Sequence, residues 1–445
     1  MNKIQKRDTL FMLTWPIFVE LLLQMLMGNI DQIMISHYSP TAVAAVGNAN
    51  QILAFLTLGF DVLCQASIIL ITQYKGAGNE KNTETMYSLA VATNLAVSGF
   101  ISVIILVFNK SFLRLMSVPA DVLPEASQYM AIVGGFIFLQ AITMTFSAIL
   151  RSNKFMMQGM IATVFMNVLN VIGNAILING VGSIPALGVT GVAISTTISR
   201  FVGVLLMIYM FRKKISVKLN IKLLKPFPTE LLKKLLGIGL PSVGENVAYD
   251  FSQIVIMSFI NMFGTTTITT KVYTSMLVII TYVFTIAVVQ ATQVMIGHML
   301  GAKKVDDVNK RVWKTLFVSM GSALVISGIL LIFSDSLFGL FTSDPEVLKL
   351  GKTILFIDLF LEQGRAGNIC FVRCLQTTGD IKFPVALGMI SAWGVAVLLS
   401  YILGVRMNMG LAGIWIAMAC DEIFRAIIFI FRWKSGGWKQ NNLVD

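Results

Sequence analysis

Uncharged apolar runs recur along the whole chain, and they leave few folds open. Residues 32–60, 85–109, 126–150, 155–199, 315–334 and 383–405 contain no Asp, Glu, Lys or Arg. A helix of about 20 apolar residues spans the ~30 Å core of a bilayer, so each run is long enough to cross, and 155–199 is long enough to cross twice. The runs hold Gly and Pro freely and do not alternate apolar with polar, which excludes a membrane β-barrel. Only 13% of the 445 residues are charged, against about a quarter in a soluble domain. The pattern reads as an all-α polytopic membrane protein with twelve helices. These are expected at 8–35, 48–74, 85–108, 125–149, 156–178, 186–211, 234–262, 270–300, 312–334, 348–372, 382–404 and 410–432. No small-residue cleavage site follows the first run, so that helix is read as retained and not as a signal peptide.

The basic residues orient these spans. Lys75, Lys81, Arg151, Lys154, Lys303, Lys304, Lys310, Arg311 and Lys382 fall in loops on one side. The same side holds Lys3, Lys6 and Arg7, a basic linker at 212–233, and a tail at 433–445. The opposite loops carry fewer bases: Lys110, Arg114, Lys271, Lys349, Lys352 and Arg406. Positive-inside bias then puts both termini in the cytoplasm of a multi-pass protein of the cell inner membrane. A net charge of +12 follows from that topology and calls for no nucleic-acid partner. Cys64, Cys370, Cys374 and Cys420 read as small buried hydrophobes, and His37 and His298 lie in different halves and suggest no catalytic pairing. No phosphate-binding P-loop, HExxH or GxSxG motif occurs, so neither ATP-driven nor hydrolytic chemistry has support and no cofactor is implied.

Internal repetition supplies the organisation. WPIFVE and LPSVGE both read Pro, three residues, Glu, and place Pro16 and Glu20 225 residues before Pro241 and Glu245. Gly76 and Gly301, Ala77 and Ala302, and Leu150 and Leu375 repeat the same shift. Gly191 and Gly413 are 222 apart, which a shorter loop explains. The chain therefore divides into a lobe at 1–211 and a lobe at 234–432. With six helices in each, the repeats are parallel and related by an axis along the membrane normal. Such duplication suits a transporter that rocks two lobes about a central site.

Several stretches in order carry a family resemblance: residues 16–31 of the first helix, QYKGAGN after the second, LNVIGNAILI in the fifth and GVTGVAISTTIS in the sixth. LPSVGEN in the seventh, EQGRAGNICFVRCLQTTGDIKFP in the tenth and AGIWIAMACDEIFR in the last complete the set. Together they resemble the bacterial MATE (multidrug and toxic compound extrusion) efflux transporters over nearly the whole chain. The resemblance implies two six-helix lobes related by a pseudo-twofold axis around a central V-shaped cleft. It implies a cation-coupled antiporter, driven by H⁺ or Na⁺, that exports lipophilic, often cationic, drugs or toxic metabolites as a monomer. In the family an aspartate at the place of Asp31 holds the coupling ion, with polar groups on the fifth and sixth helices.

Asn170 and Asn174, four residues apart and so on one helix face, and Thr196 supply those polar groups. One carboxylate with three neutral oxygens suits Na⁺, a hard cation, and suits a protonatable aspartate equally. Some members carry Asp where this chain has Asn174. Other acids within the apolar runs form a second set, for the substrate cavity or a second cation site: Glu20, Asp61, Glu245, Asp250, Glu362 and Arg365 as their counter-charge. Asp358, Glu362 and Arg365 make one stripe at i, i+4 and i+7, with Arg365 expected to neutralise Glu362 or Glu245. Asp421, Glu422 and Arg425 are placed to pair within the last helix. The 25 methionines and 30 phenylalanines are mostly packing and lipid-facing residues, although Met side chains also suit a cavity of variable shape. Two other readings remain. A lipid-linked oligosaccharide flippase of the same superfamily requires a strongly cationic cavity, and a membrane enzyme would use Asp61 and Glu245 for acid–base work.

Overall fold

The structure, a computed structural model, describes residues 9–217, 219–440 and 443–444. Lys3, Lys6 and Arg7, which bear on the orientation, lie outside the described residues. Twelve long helices follow one another: α1 (Leu10–Ser36), α2 (Pro40–Gly76), α3 (Glu80–Leu115), α4 (Leu123–Gly134 continuing as Ile137–Ser152), α5 (Met156–Leu177) and α6 (Gly188–Lys214). The second half comprises α7 (Thr229–Asn261), α8 (Thr265–Gly301), α9 (Val305–Ile332), α10 (Pro345–Thr377), α11 (Lys382–Arg406) and α12 (Gly410–Lys434). The chain forms two compact units, an N-terminal lobe within residues 15–239 and a C-terminal lobe built on residues from Leu240 onward.

Several helices run past the ends that hydropathy marks. α2 and α8 have 37 residues each, about 55 Å of rise, against a core of about 30 Å. The extra turns are polar or basic and end in tight connections. Between α2 and α3, Gly78 takes φ +72° and Asn79 caps α3 by accepting the Asn82 N–H at 3.0 Å. That left-handed turn recurs one repeat later at Lys303, φ +58°, before α9. Lys154 and Gly379 are a second such pair, and Gly188 and Gly410 a third. The duplication read from side chains is thus written in the backbone too.

Eight helices pass as spans by length and apolar composition, and the bent α4 makes nine. The other three, α7, α10 and α12, carry the most intramembrane charge. In α10 and α12 charges turn inward: Asp358, Glu362, Asp421, Glu422 and Arg425 are all buried. α4 bends by 41° at its break, after a π-wound turn over Met130–Gly134. Gly134 permits close packing there, since a Cβ would lie 2.7 Å from Ile105 Cγ2. α11 is π-wound over Ala392–Val397 and Ser400–Arg406.

Each lobe has its own core. Val46, Phe60, Ile105, Tyr129 and Val192 centre the N-terminal one, and Phe371, Cys374, Phe429 and Trp433 a C-terminal one. Large apolar residues such as Phe100, Phe201, Phe317 and Val325 are exposed, as a lipid-facing surface requires. Cys64, Cys370 and Cys374 are buried, but Cys420 is exposed, because it lies on the outward face of α12. Arg151 also departs from its expected place. It is not a loop residue; it closes the last turn of α4 and is buried.

Candidate functional site

The four residues expected to hold a cation converge in the N-terminal lobe. α1 buries Asp31, which keeps 2% of its surface. Asn174 Nδ2 donates to Asp31 Oδ1 at 2.6 Å, and Thr196 Oγ1 donates to Oδ2 at 3.1 Å. Asn170 Nδ2 donates in turn to Thr196 Oγ1 at 3.1 Å. Two glycines bring α5 and α6 close enough for this. A Cβ at Gly173 would lie 2.4 Å from Ser195 Oγ, and one at Gly191 2.5 Å from the Leu177 carbonyl oxygen. Ser195 Oγ then donates to the Asn170 carbonyl at 2.9 Å, fixing the register of the two helices.

Asn174 Oδ1 is buried with no hydrogen-bond partner. A buried acceptor left unsatisfied is costly, and with the Asn174 amide turned over that oxygen would face a cation held at Asp31. All the oxygens here are hard donors, which fits Na⁺. Asp31 and Thr196 open onto a cavity of about 280 Å³ that also exposes Tyr129, Gln140 and Arg200. Sequence reading missed Arg200, which sits just past an uncharged run. Its spacing of four from Thr196, on one face of α6, was the signal that could have found it.

The second set does not gather in one place. Glu20 is fully buried, accepts from Ser147 Oγ at 2.6 Å and pairs with Arg151 Nη2 at 2.8 Å. Gly159 makes room for it, since a Cβ there would lie 2.5 Å from Oε2. Its repeat mate Glu245 has the same kind of slot in the C-terminal lobe, where a Cβ at Gly388 would lie 2.6 Å from Oε1. Position 376, one repeat after Arg151, is Gln, and Glu245 has no ion pair or hydrogen bond among the described residues. Glu245 lines a cavity of about 170 Å³ with Arg365, Arg373, Glu422 and Arg425.

Arg365 pairs with Glu362 and reaches Glu422 at 3.8 Å. Glu422 also accepts from Asn368 at 2.6 Å. Arg425 holds Asp421 at 2.6 Å and Glu422 at 3.2 Å. Asp358 accepts from Trp415 Nε1 at 3.1 Å and lines a different cavity of about 330 Å³. Asp61 is half-buried and accepts only a long bond from Gln65, 3.4 Å. Asp250 lies outside the wall of the Glu245 cavity. Among the described residues no three His, Cys, Asp or Glu side chains gather as a metal cluster.

A family model described as MatE matches residues 16–176 and again 241–402. The chain belongs to the MatE family. The two MatE matches begin at Pro16 and Pro241, at the spacing of the internal repeat. "Uncharacterized transporter YisQ" of Bacillus subtilis is 38% identical over 99% of this chain and 96% of its own length. "Probable multidrug resistance protein NorM" of Thermotoga maritima is 25% identical over 98% and 94%. The crystal structure of the Vibrio cholerae MATE transporter VcmN in the bent form superposes with a TM-score of 0.89. It covers 98% of this chain and 97% of its own at 20% identity. The twelve-helix, two-lobe MatE fold is therefore present, and this MatE chain is a bacterial multi-pass membrane transporter, not an enzyme.

Proposed function

We propose that this transporter is a cation-coupled multidrug antiporter, exchanging H⁺ or Na⁺ for drugs or toxic metabolites by alternating access of its lobes. The observation that carries the reading is the setting of Asp31. It is a buried carboxylate held only by neutral donors, beside an orphaned amide oxygen, at the wall of a cavity. Glu20, by contrast, is locked in a direct ion pair with Arg151. The names of NorM-type relatives support drugs as cargo.

In this reading, cation and drug bind in alternation. An ionised Asp31 draws the ammonium or other cationic end of a drug into the cavity. Arrival of the cation neutralises Asp31, lets α1 bend near Pro16, which lacks an N–H and weakens the ladder, and expels the drug. The coupling is reciprocal, so drug must weaken cation binding by the factor that cation weakens drug binding. Glu245 is proposed as a second ion-responsive group. Both termini are placed in the cytoplasm and the transporter acts as a monomer. The flippase alternative gains nothing from the N-terminal cavity, where one carboxylate faces one guanidinium.

The test is transport into everted vesicles with Na⁺ and proton gradients imposed separately. One of the two gradients should drive uptake, and Asp31→Asn should abolish it while the protein remains folded and inserted. Undiminished gradient-driven transport by that variant would remove Asp31 from the mechanism.

A further inference from the structure

The segment joining the two repeats is not a loop hanging in water. Residues 212–233 carry seven bases against one acid, Glu230, and Glu230 is already paired with Lys233 at 3.3 Å. After α6 the chain makes one turn of 3-10 helix over Ile221–Leu224, which packs against α3. The Asn220 N–H donates to Ser88 Oγ of α3 at 3.2 Å, and the Asn220 side chain accepts the Lys222 N–H at 3.0 Å. Ser88 is buried and stands three residues inside the uncharged run 85–109. Three residues rise about 5 Å, so this bond pins the segment at the edge of the apolar core. The headgroup layer is itself only roughly 5–8 Å deep. The segment therefore lies within that layer.

Its side chains fit that depth. Leu223 and Leu224 are half-buried, whereas Lys222 and Lys225 are exposed. Phe227 is 52% exposed between Pro226 and Pro228, which restrict the backbone that carries it. At the interface such a ring finds apolar surroundings that water does not offer. At the end of α6, Lys213 and Lys214 lie over the rings of Tyr209 and Phe155, and Arg212 is exposed. The bases that follow α12, the repeat of α6, are turned back onto protein. Arg432 pairs with Asp380 at 2.7 Å, and Lys434 lies 5.7 Å from the centre of the Trp313 ring. The linker displays its charges where the tail engages them.

We infer that this linker is a surface strap for anionic phospholipid. Arg212, Lys222 and Lys225 meet the phosphates of the adjoining leaflet, and Phe227 wedges between them toward the acyl chains. Positive-inside bias alone accounts for the bases, but not for the pin at Ser88 or the exposed ring. Each base near a negatively charged bilayer surface strengthens binding roughly fivefold, so three together separate an anionic lipid clearly from a neutral one. The inference goes beyond the transport reading and does not need it. The strap leads directly into α7 at Thr229, so headgroups that hold it also hold the start of the second repeat.

The experiment uses the full chain in micelles with equal amounts of phosphatidylglycerol and phosphatidylcholine, and native mass spectrometry identifies the lipid held most tightly. Phosphatidylglycerol should be preferred by about tenfold or more. Arg212→Gln combined with Lys222→Gln and Lys225→Gln should lower that preference by about tenfold. A control with the same loss of charge in the α8–α9 connection, Lys303→Gln with Lys304→Gln and Lys310→Gln, should keep it. Phe227→Ala and Ser88→Ala leave every charge in place and should each weaken the preference severalfold, which keeps the test decisive if the triple variant fails to insert. Glycerol 3-phosphate, an anion without acyl chains, should not displace the lipid. Equal retention of the two lipids overturns the inference, as does a preference that survives the linker triple variant or falls equally in the control. A preference indifferent to both Phe227→Ala and Ser88→Ala refutes the pinned strap, and displacement by glycerol 3-phosphate reduces it to a general anion site. Lipid retention is read without any gradient, so this result and the antiport test stand or fall separately.

Discussion

Replacing Arg151 by Met should destabilise the N-terminal lobe far more than any change at the matching place in the C-terminal lobe. Glu20 is wholly buried and the Arg151 side chain is 9% exposed, with 2.8 Å between them. Removing one partner of such a pair strands the other charge, at a cost of about 3–5 kcal/mol. Ser147 would still donate to Glu20 at 2.6 Å, which argues for the lower end, about 3 kcal/mol, or roughly a hundredfold in the folding equilibrium. The double variant Arg151→Met with Glu20→Gln leaves no stranded charge. It should recover all but about 1 kcal/mol, the scale of one altered hydrogen bond. Glu245→Gln, by contrast, breaks no pair and should move stability by less than about 1 kcal/mol. Graded SDS unfolding in mixed micelles, read by tryptophan fluorescence and by loss of the monodisperse peak, gives all four values. A single variant as stable as the parent, or a double variant no better than the single, would refute the argument that this ion pair ties α1 to α4.

Other outcomes follow from the same geometry. Asn174→Asp puts a second carboxylate beside Asp31, so Na⁺ should bind about tenfold tighter or more, measurable by isotope binding in nanodiscs; unchanged affinity would take Asn174 out of the ligand set. Gly159→Ala forces a Cβ to within 2.5 Å of the locked Glu20 and should cost stability in the same SDS assay. Gly388→Ala crowds the free Glu245 at 2.6 Å, so transport should fall with little change in stability. Gln376→Arg transplants the lock of the N-terminal lobe into the C-terminal one, and vesicle uptake should drop as Glu245 becomes paired; full activity would mean that Glu245 works equally well when neutralised.

Much of this was legible before any coordinates. Long apolar runs marked nine of the twelve helices, because membrane spans must be long, apolar and internally hydrogen-bonded, while α7, α10 and α12, interrupted by charges, are the ones that hydropathy alone does not mark. The repeat showed which residues are counterparts. Asp31, Asn170, Asn174 and Thr196 could be gathered because a carboxylate within an apolar run demands polar company. What failed was the meaning of a charge at the end of a run. Arg151 and Arg200 both follow uncharged stretches directly, and a sequence cannot show whether such a residue looks outward to headgroups or inward. The helix ends answer it: α4 and α6 continue past these arginines. Nor could the sequence show that Glu20 and Glu245, identical in motif, differ in state. That difference rests on Arg151 and Gln376, contributed by distant helices. The bend in α4 was equally hidden, since Gly134 and Gly135 are tolerated in straight spans as well.

The Glu20–Arg151 pair also fixes a waiting time during synthesis. The helix carrying Glu20 leaves the ribosome first, while Ser147 lies 127 residues later and Arg151 later still. At about 5–20 residues per second that is roughly 6 to 25 s, an interval in which a carboxylate destined for a dry interior has no native partner. Three further spans must be threaded before relief arrives. Until α4 emerges the first helix carries the cost of an unpaired acid in the apolar layer, about 2.5–3.5 kcal/mol on insertion scales, so a chain halted after α3 should be more readily extracted from the membrane than one halted after α4.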